Sequence, residues 1–210
     1  MSIPYRGADC RLCPRLAEFL DEARAKNPDW HNAPVNGYGP VDARIMIIGL
    51  APGMRGANRT GRPFTGDFAG DLLFQMLDEF GLSTGTYQSR PDDGVELQDI
   101  RIVNAVRCVP PENKPIGAEI NTCRQFLIED IKAMTNLKVI ITLGRIGHTS
   151  ALKALGLKEK DYPFGHHMKH KTDDGITIIS SYHCSRYNTQ TGRLTEQMFR
   201  DVFASAVAAR

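Results

Sequence analysis

The chain has 210 residues, 41% apolar and 24% charged, ordinary values for a globular protein able to bury the core of one domain spanning 1–210. Its net charge of +2 is too small to argue for nucleic acid by itself. No run reaches the ~18 apolar residues of a membrane span and no basic-then-apolar leader opens the chain, so a cytoplasmic, monomeric protein without a membrane partner is expected.

The first feature along the chain is Cys10-Arg-Leu-Cys13. Five cysteines, an odd number, argue against a disulfide framework in the cytoplasm, where paired cysteines more often bind metal. Ile45–Ile48 is the first of four short Ile/Val-rich runs. It leads into Gly49-Leu-Ala-Pro-Gly53 and a long polar stretch ending Gly61-Arg-Pro-Phe-Thr-Gly-Asp67. Leu72, Leu73, Met76, Leu77 and Phe80 then form a helical stripe, ended by Gly81. A second strand over Ile100–Val106 carries Asn104 and runs to Cys108, and a Pro-rich loop follows. Ile120, Cys123, Phe126, Leu127, Ile131 and Met134 give a second helix. Val139–Leu143 is the third strand, leading into Gly144-Arg-Ile-Gly147. A short helix covers Ile146–Leu155, with Gly156 as its C-cap. Ile176–Ile179 is the fourth strand, and Ser180-Ser-Tyr-His-Cys-Ser-Arg-Tyr-Asn188 follows it. Thr195–Ala208 closes the chain as a helix.

The four runs are continuous rather than alternating, as strands buried on both faces must be. Alternating strands and helices predict an α/β fold: three α-β-α layers around a central, mostly parallel four-stranded sheet. Ligands bind beyond the carboxyl ends of such strands. Those ends here carry a Gly/Pro loop, a carboxylate, an amide and an imidazole.

Cys108 and Cys123 join the CxxC as a candidate set, and Cys184 does not belong to it. Buried apolar cysteines, a zinc site and a [4Fe–4S] cluster all fit. Spacing does not separate zinc from iron. The absence of Gly-x4-Gly-Lys-Ser/Thr excludes a P-loop nucleotide enzyme.

Four segments carry a resemblance: the CxxC, the Gly49–Gly53 loop with Gly61–Asp67, Val103-Asn-Ala-Val-Arg-Cys108-Val-Pro-Pro-Glu-Asn-Lys reaching Cys123, and Tyr182-His-Cys-Ser-Arg-Tyr-Asn-Thr-Gln-Thr-Gly-Arg-Leu-Thr195. In this order they resemble the uracil-DNA glycosylase superfamily, in particular its iron–sulfur type-5 members. Type-4 members carry an acid where this chain has Leu50. Type-5 loops usually read Gly-Leu-Ala-Pro-Ala-Ala-His-Gly, against Gly53, Met54 and Arg55 here, which bears on substrate breadth. Cys184 replaces the usual proline after the histidine, which bears on the stiffness of the His183 loop.

The resemblance implies a DNA-repair enzyme that flips uracil, and other deaminated bases such as hypoxanthine, out of DNA and hydrolyses the N-glycosidic bond. It implies a [4Fe–4S] cluster on Cys10, Cys13, Cys108 and Cys123, and a pocket lined by Gly49, Leu50, Ala51, Pro52, Gly53 and Phe64. His183 would donate to a uracil oxygen as negative charge develops there. Asn104 offers a donor and an acceptor to O4 and N3–H, a pattern that cytosine reverses. Phe64 would stack on the flipped base. Asp67 would orient water or steady the sugar cation; equally, it sits where a helix N-cap belongs, which would keep it ionised and weakly basic. Ser185, Arg186, Tyr187 and Asn188 would enter the duplex, Arg186 or Tyr187 filling the vacated space. Arg193, Arg145 and Arg55 would meet phosphates.

Three other readings compete. A type-4 enzyme with a relaxed motif is one. An iron–sulfur redox protein, needing neither His183 nor Asn104, is another. The third is a non-catalytic uracil-DNA binder; such binders in the superfamily carry a Lys/Arg-rich insert ending in His, and nothing like it separates Phe64 from Asp67.

Overall fold

The computed structural model describes residues 9–210. In chain order it contains α1 (Pro14–Lys26), β1 (Ile45–Gly49), a one-turn α2 (Ala57–Thr60), α3 (Phe68–Glu79), β2 (Ser83–Thr84), β3 (Glu96–Leu97) and β4 (Ile100–Asn104). There follow α4 (Gly117–Ala133), β5 (Val139–Leu143), α5 (Gly144–Ala154), β6 (Lys169–Lys171), β7 (Thr177–Ser181), α6 (Arg186–Gln190) and α7 (Glu196–Ala208).

The central sheet runs β4-β1-β5-β7-β6. The four expected strands are parallel, and β6 adds an antiparallel fifth strand on the β7 edge. Register places Ile102, Ile47, Ile141 and Ile179 side by side across the sheet, all fully buried. That belt packs with Leu73, Phe74 and Leu77 of α3 and Phe199 and Phe203 of α7. Met46, Ile48 and Ile140 face the other way, onto Leu127 of α4 and Ala151 of α5. Helices thus cover both faces, and each such side chain contributes ~1.5–3 kcal/mol through burial.

Three boundaries differ from the sequence reading. The second strand stops at Asn104 rather than at Val106, because the N–H groups of Ala105 and Val106 bond to the carbonyls of Gly49 and Leu50, where β1 itself ends and its loop begins. The fourth strand extends through Ser180 and Ser181, whose small polar side chains are buried and invisible to a hydropathy scan. β6 is only three residues long with two exposed lysines, too short and polar for a periodicity signal. The helix α1 was also missed, although Pro14 in its first turn and the Leu16, Leu20, Ala23 stripe announce it.

Tyr38 bridges Ile102 through reciprocal backbone bonds and lies along the free flank of β4. Among the described residues no helix is long and apolar enough to cross a membrane.

Candidate functional site

The carboxyl ends of β1, β5 and β7 open onto a cleft of about 580 Å³. Of the expected residues, Leu50, Ala51, Gly53, Asp67, His183 and Ser185 line it. Gly49, Phe64 and Asn104 pack together beside it. A Cβ on Gly49 would collide with Asn104 Oδ1 and the Phe64 ring, so only glycine allows the three to meet. Pro52 is buried behind the loop rather than on the cleft wall.

Phe64 stands nearly parallel to His183, their ring centres 5.9 Å apart. Asn104 Oδ1 is buried with no hydrogen-bond partner. An orphaned buried acceptor costs ~1–3 kcal/mol, and an N–H brought by a ligand would recover it. Burial pushes His183 down to about 4. Its imidazole is therefore neutral at neutral pH and keeps one N–H to donate.

Asp67 holds both places that its sequence position suggested. It is the N-cap of α3, with Oδ1 accepting from Gly70 N at 3.3 Å. Its Oδ2 lies against Gly53 and Gly56, where a Cβ on Gly56 would overlap the carboxylate. Desolvation raises its pKa and outweighs the lowering by the backbone N–H groups of Gly70 and Ala69. This corrects the expectation of a weakly basic carboxylate: burial wins over the helix terminus.

Five lining residues escaped the sequence reading as pocket residues: Asn113, Leu143, Gly144, Ile146 and, beyond its expected phosphate role, Arg145. The last three form the first turn of α5, whose N-terminus brings partial positive charge to the cleft. The Leu143-Gly-Arg signal directly after a strand pointed there. Asn113 gave no such signal, since a left-handed backbone in the loop before α4 carries it in.

The expected DNA-entering segment divides. Ser185 lines the cleft and caps α6, accepting from Asn188 N. Arg186 and Tyr187 are exposed, Tyr187 at 70%, and the Arg186 guanidinium lies over the Phe68 ring. Asn188 turns inward instead, donating through Nδ2 to the His183 carbonyl at 2.8 Å. It braces the histidine. Arg193 covers the Tyr182 ring, Arg145 covers Phe164, and Arg55 is exposed. Cys184 is fully buried and donates from Sγ to the Ala69 carbonyl at 3.4 Å, tying the His183 loop to α3.

Cys10, Cys13, Cys108 and Cys123 line one small apolar cavity between α1, the end of β4 and α4. Burial and the mutual repulsion of these sulfurs push Cys108 up to about 12 and Cys123 up to about 11, while Arg107 N donates to Cys123 Sγ. Among the described residues no group of three or more His, Cys, Asp or Glu is gathered where one ion would sit.

Comparison with known proteins agrees with this geometry. The model of the uracil DNA glycosylase superfamily matches residues 36–206. A type-5 uracil-DNA glycosylase of Thermus thermophilus is 41% identical over 203 residues, covering 94% of this chain and 92% of the relative. One from Pyrobaculum aerophilum is 35% identical, covering 97% and 90%. A type-4 uracil-DNA glycosylase of Sulfurisphaera tokodaii is 30% identical, covering 84% and 76%.

Proposed function

The chain belongs to the uracil-DNA glycosylase superfamily, and from that premise we infer that it removes uracil from DNA by hydrolysing the N-glycosidic bond, the opening step of base excision repair. The observation that carries the site assignment is Asn104. Its orphaned Oδ1, set against Gly49 and Phe64, suits the N3–H of a flipped uracil. Cytosine presents an acceptor there and would leave the cost of burial in place.

The remaining groups fall into roles around that base. Breaking the bond leaves negative charge on uracil and positive charge on the sugar. Neutral His183 donates to a uracil oxygen as its charge grows, and it brings no competing formal charge into the pocket. Asp67, made more basic by burial, orients water toward the anomeric carbon and offsets the sugar's charge. Exposed Arg193, Arg145 and Arg55 meet phosphates, and Tyr187 or Arg186 fills the gap in the stack. The reading includes a cytoplasmic monomer whose partner is uracil-containing DNA.

The four cysteines fit a [4Fe–4S] cluster. Their donor set is all sulfur and all four line one cavity, the thiolate set that such a cluster takes. When bound, such a group supplies a crosslink between α1 and the β4–α4 region.

Duplexes carrying uracil, hypoxanthine or thymine, incubated with the protein and then cleaved at abasic sites by alkali, test the function. Strong uracil excision and measurable hypoxanthine excision are expected, because Leu50 leaves out the acid of type-4 pockets. Strict uracil activity at enzyme excess would favour the type-4 reading, and no excision of any base would remove the enzyme reading. The pH profile is a second check. Excision needs His183 neutral and Asp67 ionised; burial pulls His183 down to about 4 and raises Asp67 from its ordinary value, so both needs fail only as pH is lowered. Single-turnover rate should therefore decline on the acid side alone. A rate that rises as pH falls, as a protonated donor would give, would contradict the assigned neutral state of His183.

A further inference from the structure

We propose that Arg62, clasped by Asp93 in the β2–β3 hairpin loop, is a positioning residue for base excision that works through the Phe64 turn, an inference resting on the assignment of Phe64 and Asp67 above. Phe64 adopts a left-handed backbone (φ 54°), a conformation that a bulky residue keeps only when its surroundings impose it. The imposing contacts converge from outside the cleft. Arg62 Nε donates to Thr65 Oγ1 at 2.8 Å, and its two terminal nitrogens each donate to Asp93 at 2.7 Å. One of them also donates to the Arg90 carbonyl at 2.8 Å. The guanidinium lies over the rings of Tyr38, Phe74 and Tyr87.

Asp93 is fully buried and spends its remaining capacity on the loop, accepting from Gln88 N and Val95 N. The ordered loop presents Tyr87, which stacks on Phe74 at 4.1 Å and donates from its hydroxyl to the Phe64 carbonyl at 3.0 Å. Arg62 and Tyr87 thus grip the turn on both sides of Phe64, three residues before Asp67. The Phe64 ring itself stands against His183, where the base is proposed to stack. A displacement of about 1 Å in such a wall costs on the order of 10²-fold in rate, although none of these groups touches substrate.

Tyr87→Phe removes one hydroxyl and keeps the ring stack, and Asp93→Asn weakens the clasp. Single-turnover excision of uracil from duplex DNA should fall about 5- to 50-fold in both, measured well below each variant's melting temperature. Affinity for abasic duplex, read by fluorescence anisotropy, should stay within about twofold, since the phosphate-contacting rim is untouched. The rate loss in Tyr87→Phe should come with a melting temperature close to that of the parent. Parental rates in folded Tyr87→Phe and Asp93→Asn would overturn the positioning role. Absence of excision by the parent would instead remove the functional reading on which it rests.

Discussion

Replacing Asp67 by Asn is expected to cut single-turnover uracil excision by ~10²–10⁴-fold while leaving the fold intact. The two duties of this carboxylate separate cleanly in that substitution. As an N-cap, Asn is nearly equivalent to Asp, so the amide oxygen still accepts from Gly70 N and stability barely changes. As the partner of water and sugar cation, Asn has no charge and no basicity. Binding to uracil-containing duplex should persist through Asn104, Phe64 and His183. A melting temperature several degrees lower with excision untouched would make Asp67 a cap alone.

Cys108→Ser should abolish iron binding and the broad visible absorption expected of the parent, at about four irons per chain. Cys184→Ser should leave the iron content unchanged, since Cys184 packs in a different cluster and bonds to Ala69. A link between α1 and α4 as strong as a disulfide would be worth ~2–5 kcal/mol. Its loss would lower the melting temperature by about 4–20 °C for a chain of this size. Colourless, zinc-loaded parent protein after anaerobic purification would remove the iron assignment.

What the sequence revealed divides by the range of the physics involved. Ile45–Ile48, Ile100–Asn104 and Val139–Leu143 were legible because a strand buried on both faces must be apolar throughout, a local property. Gly49, Asn104 and His183 could be placed at one sheet edge because each ends or follows such a strand, and Asp67 because it directly precedes the α3 stripe. Ser180 and Ser181 hid the end of β7, since burial of small hydroxyls depends on neighbours that hydropathy does not see. The Arg62–Asp93 clasp was beyond reach: the partners are 31 residues apart and each alone reads as an ordinary surface charge. The direction of the Asp67 shift was hidden for a related reason. Its helix terminus is local, but the desolvation that overrides it comes from Gly53 and Gly56 folding back from the preceding loop.

The two flanks of the central sheet bear on how this protein behaves in a crowded solution. A sheet that ends in open amides is a template for another copy of itself. Here the β4 flank is occupied at its middle by Tyr38, which takes and gives a backbone bond with Ile102. The β7 flank is closed by β6, a strand of three residues whose outer positions are Lys169 and Lys171, both exposed. A second chain approaching there meets a short edge and two positive charges, so strand addition has little length to grow on and must desolvate ammonium groups to begin. Resistance to edge-to-edge self-association is thus built into the two flanks of the sheet.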